Sequence, residues 1–280
     1  MMMAALAGCM SSSIRVGSYN VRMSACDIGT ANAWDERKED LVALVRSLDL
    51  DVYGMQEVMP EQAAYFRDRL PEWSFVGEHR EADRVSGEAS PVFYRKSRFE
   101  PVKSGTFWLS ETPEVPGSKS WGTACTRVCS YLVLRDRRTD KVFCFANTHT
   151  DHVSAEAREK GVMLIVDRMR QFGDGSPIVF TGDHNCCPSD VPAIAVRKVL
   201  KDARAVSETT DTGPANTFNA FGRHLEGPDF GKGAASRRRI DYVYVSDGVK
   251  VREFRTVGDR RPGSELYPSD HFPVIATIEL

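Results

Sequence analysis

No stretch of this 280-residue chain approaches the roughly 20 consecutive apolar residues that a membrane-spanning helix needs. Charge of one sign is lacking too: 37 Lys and Arg stand against 39 Asp and Glu, a formal net charge of -2. That balance excludes the global basic field that advertises a nucleic-acid partner. Two local clusters, Arg237-Arg238-Arg239 and Arg260-Arg261, read equally well as solvated loops or as phosphate-steering patches. The seven cysteines contain no Cys-x-x-Cys pair. Their odd number, scattered spacing and the vicinal Cys186-Cys187 argue against a disulfide framework and against structural zinc. No internal repeat or low-complexity linker divides the chain. What is there, 27% charged and 41% hydrophobic residues, suits an ordered domain with a substantial core.

The first residues stand apart. Leu6-Ala7-Gly8-Cys9, followed by Ser11-Ser12-Ser13, resembles a bacterial lipoprotein cleavage box with a serine tether. The apolar stretch before it is short and carries no basic residue, unlike an ordinary secretory signal. Residues 1–13 are expected to be a signal-like or disordered segment. Membrane anchoring through Cys9 and an envelope or secreted location are expected ahead of a cytoplasmic one. Residues 14–280 are expected to fold as one domain and to remain monomeric.

Residues 14–21 alternate and are rich in β formers, the pattern of a first strand. Within 34–48, Leu41, Val42, Leu44, Val45 and Leu48 recur at helical spacing. Residues 51–57 read as a second strand, and Pro60 opens a helix to about residue 70. Strands alternating with helices predict an α/β layered fold. The middle then turns to strands at 73–77, 90–95, 99–109, 127–135 and 141–147, the last two forming a hairpin around Asp136-Arg-Arg-Thr-Asp140. Residues 110–122, rich in Pro, Gly and Ser and bordered by Trp108 and Trp121, read as a long loop able to shape a pocket. A helix capped by Ser154 runs to residue 172. After it come an apolar strand at 178–180, a helix from 190 or 191 to about 200, and an irregular region at 212–232. Strands at 240–245, 249–257 and 272–278 close the chain.

Polar residues gather where these strands end. Ile178-Val179-Phe180 stops at Gly182 and gives way to Asp183 and Asn185, which alternation places on one side. Gly-Asp-x-Asn also makes an ordinary turn, so the pair alone decides nothing. However, Asn20 ends the first strand, Glu57 the second and Asn147-Thr-His149 the hairpin strand. Asp241 lies in Arg239-Ile-Asp-Tyr242, and Asp270-His271 precede the last strand. Taken singly these are turn residues, helix-start anions or buried histidines. Their joint appearance at strand ends is the pattern of a ligand site in an open α/β sheet.

The ordered motifs Ser18-Tyr-Asn-Val21, Gln56-Glu57-Val58, Asn147-Thr-His149, Thr181-Gly-Asp-His-Asn185, Ile240-Asp-Tyr242 and Ser269-Asp-His-Phe-Pro273 resemble the endonuclease/exonuclease/phosphatase, or DNase I-like, superfamily. The likeness is greatest to a bacterial group sharing stretches such as Phe107-Trp-Leu-Ser-Glu-Thr-Pro113. It implies a four-layer α/β sandwich, two central mixed β-sheets flanked by helices, and a metal-dependent hydrolase of phosphoesters. Glu57, with Asn20 beside it and Asp270 in support, is implied to hold Mg²⁺ or Mn²⁺. His271 is implied to act as general base or phosphate ligand, with Asp241 fixing its tautomer. Asp183 would orient or deprotonate the water, Asn185 donate to a phosphate oxygen, and His149 stabilise the phosphate or assist the leaving group. Asn147, Arg127 and Asp151 are candidate substrate contacts; an inter-strand ion pair for Arg127 and a helix-entry turn for Asp151 and His152 remain open. The implied substrate is a phosphodiester, nuclease- or phosphodiesterase-like, ahead of a small sugar, inositol or lipid-headgroup monoester. A catalytically silent phosphate-binding module is the rival of another class. Family members commonly carry an apolar residue where this chain has His184, which alternation turns away from Asp183 and Asn185 to pack or to meet solvent.

Overall fold

The computed structural model describes residues 12–223 and 238–280. Cys9, Arg237 and the later part of the expected irregular region therefore lie outside the described residues. The first unit follows the sequence pattern closely: β1 (Ile14–Asn20), α1 (Trp34–Leu48), β2 (Val52–Gln56) and α2 (Pro60–Arg69). Helix α1 buries Leu41, Val42, Leu44, Val45 and Leu48 along one face and ends at Asp49 in the left-handed conformation. Helix α2 has Pro60 in its first turn, while the Gln62 side chain accepts from the Met59 backbone N–H at 3.0 Å.

The meander follows as β3 (Trp73–Val76), β4 (Val92–Arg95), β5 (Phe99–Trp108), β6 (Val128–Asp136) and β7 (Val142–His149). Strands β6 and β7 pair antiparallel from Arg135 opposite Val142, the expected hairpin. Helix α3 (Ala155–Gly173) is capped by Ser154, whose hydroxyl accepts from the Ala157 N–H at 3.1 Å. The remaining elements are β8 (Ile178–Asp183), α4 (Val191–Arg197), β9 (Lys201–Asp202), α5 (Ala203–Val206), β10 (Asp241–Val245), β11 (Lys250–Thr256) and β12 (Val274–Glu279).

Two six-stranded sheets result, in the orders β11-β12-β1-β2-β4-β3 and β5-β6-β7-β8-β10-β9. Both are mixed, with β1–β2 and β7–β8 parallel and β1–β12 and β8–β10 antiparallel. Val16, Val52, Leu132, Phe145, Val243 and Val274 fill the space between the sheets. Leu41, Val45, Phe66 and Phe93 join α1 and α2 to the first sheet; Val162, Ile165, Val166 and Phe180 join α3 to the second. Three apolar layers thus separate helix, sheet, sheet and helix, the four-layer sandwich. Among the described residues no helix is long and apolar enough to cross a membrane.

The inter-sheet core turns polar toward the ends of the parallel strands. Asn147 on β7 donates to the carbonyls of Met55 (2.7 Å) and Pro91 (3.1 Å) and accepts from Gln56 (2.6 Å) and Thr181 (3.1 Å). It crosses to the other sheet where Gly54 leaves room: a Cβ there would stand 2.1 Å from the Asn147 amide. This buried network stitches the sheets together directly beneath the candidate residues.

Candidate active site

Parallel pairing brings the ends of β1, β2, β7 and β8 to one edge of the sandwich. His149 and Asp183 are register partners at the ends of β7 and β8. Strand β10 runs the other way, so its first residue, Asp241, lies opposite Asp183. Asp270 and His271 lead into β12, which pairs with β1. All six strand-end motifs therefore meet. A pocket of about 520 Å³ opens over them, lined by Arg22, Glu57, Glu88, Arg127, His149, Asp183, Asn185, Asp270 and His271 among others. A larger concavity of about 980 Å³, between residues 24–38 and α2, holds none of the candidate residues.

Asp183 is the centre. One carboxylate oxygen accepts from the Asn185 N–H (2.9 Å), the other from the Asn20 amide (3.0 Å). Its second oxygen also faces His149 Nε2 at 3.5 Å and His271 Nε2 at 3.7 Å. Burial alone would raise its proton affinity, but the two imidazoles and these N–H donors hold it below the ordinary carboxylate value. His271 Nδ1 lies 2.8 Å from Asp241 Oδ2, the pairing expected from the sequence. Burial disfavours its charge, yet Asp241, Asp183 and Asp270 outweigh that and push its pKa up to about 10. His271 thus lines the pocket with Asp241 held behind its Nδ1.

His149 has a carboxylate of its own that the sequence reading missed. Glu88 Oε2 sits 3.6 Å from His149 Nδ1, 2.8 Å from Arg80 and 3.6 Å from Arg127. Burial opposes its charge, but His149 and the two guanidiniums lower its pKa to about 2. Glu88 follows no strand; an isolated bridge between Val58 and Ala89 brings it in, and only the Gly87 turn before it marks the spot. Two histidines, each with a carboxylate behind it, thus flank Asp183. Asn185 donates its amide hydrogens to Thr150 O (3.0 Å) and toward His149 Nε2 (2.9 Å).

Glu57 and Asp270 form the corner suited to a metal. Glu57 Oε1 accepts from Asn20 (3.0 Å) and Oε2 from the Met23 N–H (2.9 Å); Arg22 lies 3.4 Å from Asp270. Burial, and then the Glu57 charge, raise the proton affinity of Asp270 despite the neighbouring cations. Two buried carboxylates that offer hard oxygens to a pocket fit a divalent cation such as Mg²⁺ or Mn²⁺. Arg22, Glu57 and Asn185 all hold left-handed backbone, at φ 58°, 62° and 45°, strain of the kind that collects at functional sites. Asp183, Asp241 and His271 also bring one ligand atom each within 4.8 Å of one another. There, however, the His271 ring itself lies between the two carboxylates.

Several expectations need correction. Asn147 is not a substrate contact, because it is fully buried and its hydrogen bonds all go to Met55, Pro91, Gln56 and Thr181 in the core. Asp151 does not reach substrate either. Its carboxylate accepts from the N–H groups of Ala124, Cys125, Val153 and Ser154, clamping two loops, while the neighbouring His152 lines the pocket. Asn20, expected beside the metal, is fully buried: its oxygen takes the Arg22 N–H and its amide orients Glu57 and Asp183. Arg127 does line the pocket, and also takes the ion-pair option through Glu88. Trp108 and Trp121 lie outside the pocket lining; the Trp108 indole instead donates to Arg80 O at 2.6 Å. Arg239 is spent on Asp202 and Arg261 on the Tyr267 and Glu36 carbonyls, so neither basic cluster supplies this site with them. His184 packs among Phe180, Tyr242 and Tyr244 with no exposure, which excludes the solvent option.

Comparison with known proteins gives the same picture. A protein from Bacteroides vulgatus described as an endonuclease/exonuclease/phosphatase superposes with a TM-score of 0.88 at 31% identity, over 96% of this chain and 100% of that one. A mannosyl-6-phosphatase from Bacteroides thetaiotaomicron superposes with a TM-score of 0.83 at 30% identity, over 95% and 100%. Nocturnin from Drosophila melanogaster is 23% identical over 95% of this chain, which spans about half that protein's length, 45%. The family model for the endonuclease/exonuclease/phosphatase family matches residues 17–271, nearly the whole described domain. This chain therefore belongs to the endonuclease/exonuclease/phosphatase family, whose members hydrolyse phosphoesters.

Proposed function

We propose that the protein is a divalent-metal-dependent phosphomonoesterase acting on a small phosphorylated molecule. The observation that carries this reading is the 520 Å³ pocket, in which one cluster of phosphate donors adjoins one carboxylate corner. That volume is typical of small-molecule sites, ~300–1,000 Å³. A nucleic-acid strand would call for a long basic track, and the chain carries a net charge of -2. The resemblance implies a diester first; the size of the pocket is what favours a small monoester here. The likeness to a Bacteroides mannosyl-6-phosphatase supports the same choice.

The chain's own groups divide the work. Glu57 and Asp270 would hold Mg²⁺ or Mn²⁺, which when bound supplies positive charge against the phosphate oxygens. His271, kept cationic by Asp241, donates to a phosphate oxygen. His149, with Glu88 behind its Nδ1, and the Asn185 amide, 2.9 Å from its Nε2, stand beside the same anion. Asp183, kept ionised, orients the attacking water and takes its proton as the new P–O bond forms. As the old P–O bond breaks, His149 assists the leaving oxygen, which takes up a proton from water.

The test is phosphate release in the presence of Mg²⁺ or Mn²⁺ from small monoesters, bis-p-nitrophenyl phosphate, DNA and RNA. The reading expects kcat/KM for the best monoester to exceed that for the diester at least tenfold. Faster diester cleavage would overturn it, and silence on every substrate would favour the binding module.

A further inference from the structure

The chemistry above leaves one cation of the pocket without a task. Arg22 follows β1, lines the pocket and keeps its side chain 30% exposed. Its place is fixed. The backbone is left-handed at φ 58°, its N–H donates to Asn20 Oδ1 at 3.0 Å, and its carbonyl accepts from the buried Arg37 (2.7 Å) and from Gln62 (3.0 Å). Nε donates to Asp27 at 3.0 Å, a latch outside the pocket lining. Nη1 faces Asp270 Oδ2 at 3.4 Å without the alignment of a hydrogen bond. The neighbouring arginines are used differently. Arg80 and Arg127 both face the Glu88 carboxylate, at 2.8 and 3.6 Å, and Arg37 gives its N–H groups to four backbone carbonyls.

This position is unfavourable for the metal. Asp270 is one of the two carboxylates suited to a divalent cation, and Arg22 sets against it a positive charge that cannot be given up. A cation held by Asp270 is repelled by that guanidinium and shares its carboxylate with it. The same position suits an anion. A guanidinium fork matches phosphate oxygens and strengthens with their charge. His149 and His271 face Asp183 at 3.5 and 3.7 Å, whereas Arg22 stands on the Asp270 side of the same pocket. A phosphate in the pocket therefore has a cationic donor beside the metal corner as well as donors beside Asp183.

We propose that Arg22 binds the phosphate of the substrate from the side of the Glu57–Asp270 corner, contributing affinity for the anion while weakening the hold on the cation. This rests on the phosphomonoesterase reading above for the identity of the anion. The test measures two equilibria by calorimetry on the full chain stripped of metal with EDTA: Mn²⁺ binding, then inorganic phosphate binding at saturating Mg²⁺. It compares the wild type with Arg22→Met, which removes the charge at similar length, and Arg22→Lys, which keeps the charge without the fork. Arg22→Met is expected to bind Mn²⁺ about threefold more tightly and phosphate about tenfold more weakly than wild type. Arg22→Lys is expected to bind Mn²⁺ as wild type does and to recover part of the phosphate affinity. Weaker Mn²⁺ binding by Arg22→Met would overturn the proposal, since Arg22 would then serve only to hold Asp270 for the metal. Unchanged phosphate affinity would overturn it too, as would methionine and lysine variants that bind Mn²⁺ alike, or a wild type that binds no Mn²⁺. Both readouts are equilibria, so they decide the role of Arg22 even if bis-p-nitrophenyl phosphate is cleaved and every monoester is left intact, the separate result that removes the phosphomonoesterase reading.

Discussion

Replacing His184 by leucine should make the protein more resistant to mild acid. The imidazole is fully buried, its centroid 4.8 Å from that of Phe180, and neither ring nitrogen has a partner. Burial pushes its pKa down to about 3. The sign follows directly. The unfolded chain binds a proton at this histidine below its ordinary pKa of about 6.5, whereas the folded one refuses it until about pH 3, so the folded state loses stability as pH falls between those values. The loss is about 1.4 kcal/mol per pH unit, or roughly 2 kcal/mol by pH 5. For a chain this long that corresponds to about 3 °C in Tm. Leucine, of similar volume, has nothing to protonate. Thermal unfolding of both proteins by circular dichroism at pH 7.5, 6 and 5 should therefore show the variant gaining about 3 °C on wild type toward pH 5. Other titrating groups cancel in the difference. A difference that stays constant with pH would refute the reasoning, because it would mean that His184 finds a proton partner inside its aromatic cage. Activity should change little, since the side chain points away from Asp183 and Asn185.

Asn147→Ala removes four hydrogen bonds of a buried amide, to the Met55 and Pro91 carbonyls and from the Gln56 amide and Thr181 hydroxyl. It should cost about 3 kcal/mol in chemical denaturation while leaving KM of the folded protein within about twofold. A large rise in KM with unchanged stability would restore Asn147 as a substrate contact. Glu88→Gln removes a carboxylate whose folded pKa, about 2, lies below its unfolded value, so its stabilisation is complete above about pH 4.5 and fades as pH falls toward 2. The stability gap between wild type and variant should be roughly 3 kcal/mol at pH 6 and should shrink below pH 4; a pH-independent gap would show that Glu88 does not hold its charge through these partners. Asp241→Asn removes the group that orients His271, and kcat should fall ~10²–10⁴-fold with the fold intact.

The sandwich was legible because both periodicities were clean. Leu41 to Leu48 could only be one face of a helix, and the run of short strands from Trp73 onward could only be sheet. The candidate residues could be picked out where they sit at strand ends, as Asp183, His149 and Asp241 do, or just before a strand, as His271 does. Asn147 shows where that logic stops. Alternation correctly put it on the same face as His149, but two residues further down the strand is about 7 Å deeper, inside the sandwich rather than above it. Glu88, Arg80 and Arg22 were invisible for another reason. They enter the pocket from turns, where no period tells which way a side chain points. Sequence order likewise could not show that the Asn20 amide is used to hold Glu57 and Asp183.

The most direct test of the account is the kcat of Asp183→Asn on the best small phosphomonoester with Mg²⁺ or Mn²⁺ saturating. The isosteric amide keeps the shape of the site but cannot take the water's proton. The account predicts a loss of at least ~10²-fold with Tm and substrate affinity preserved. Near-wild-type turnover in the folded variant would contradict it.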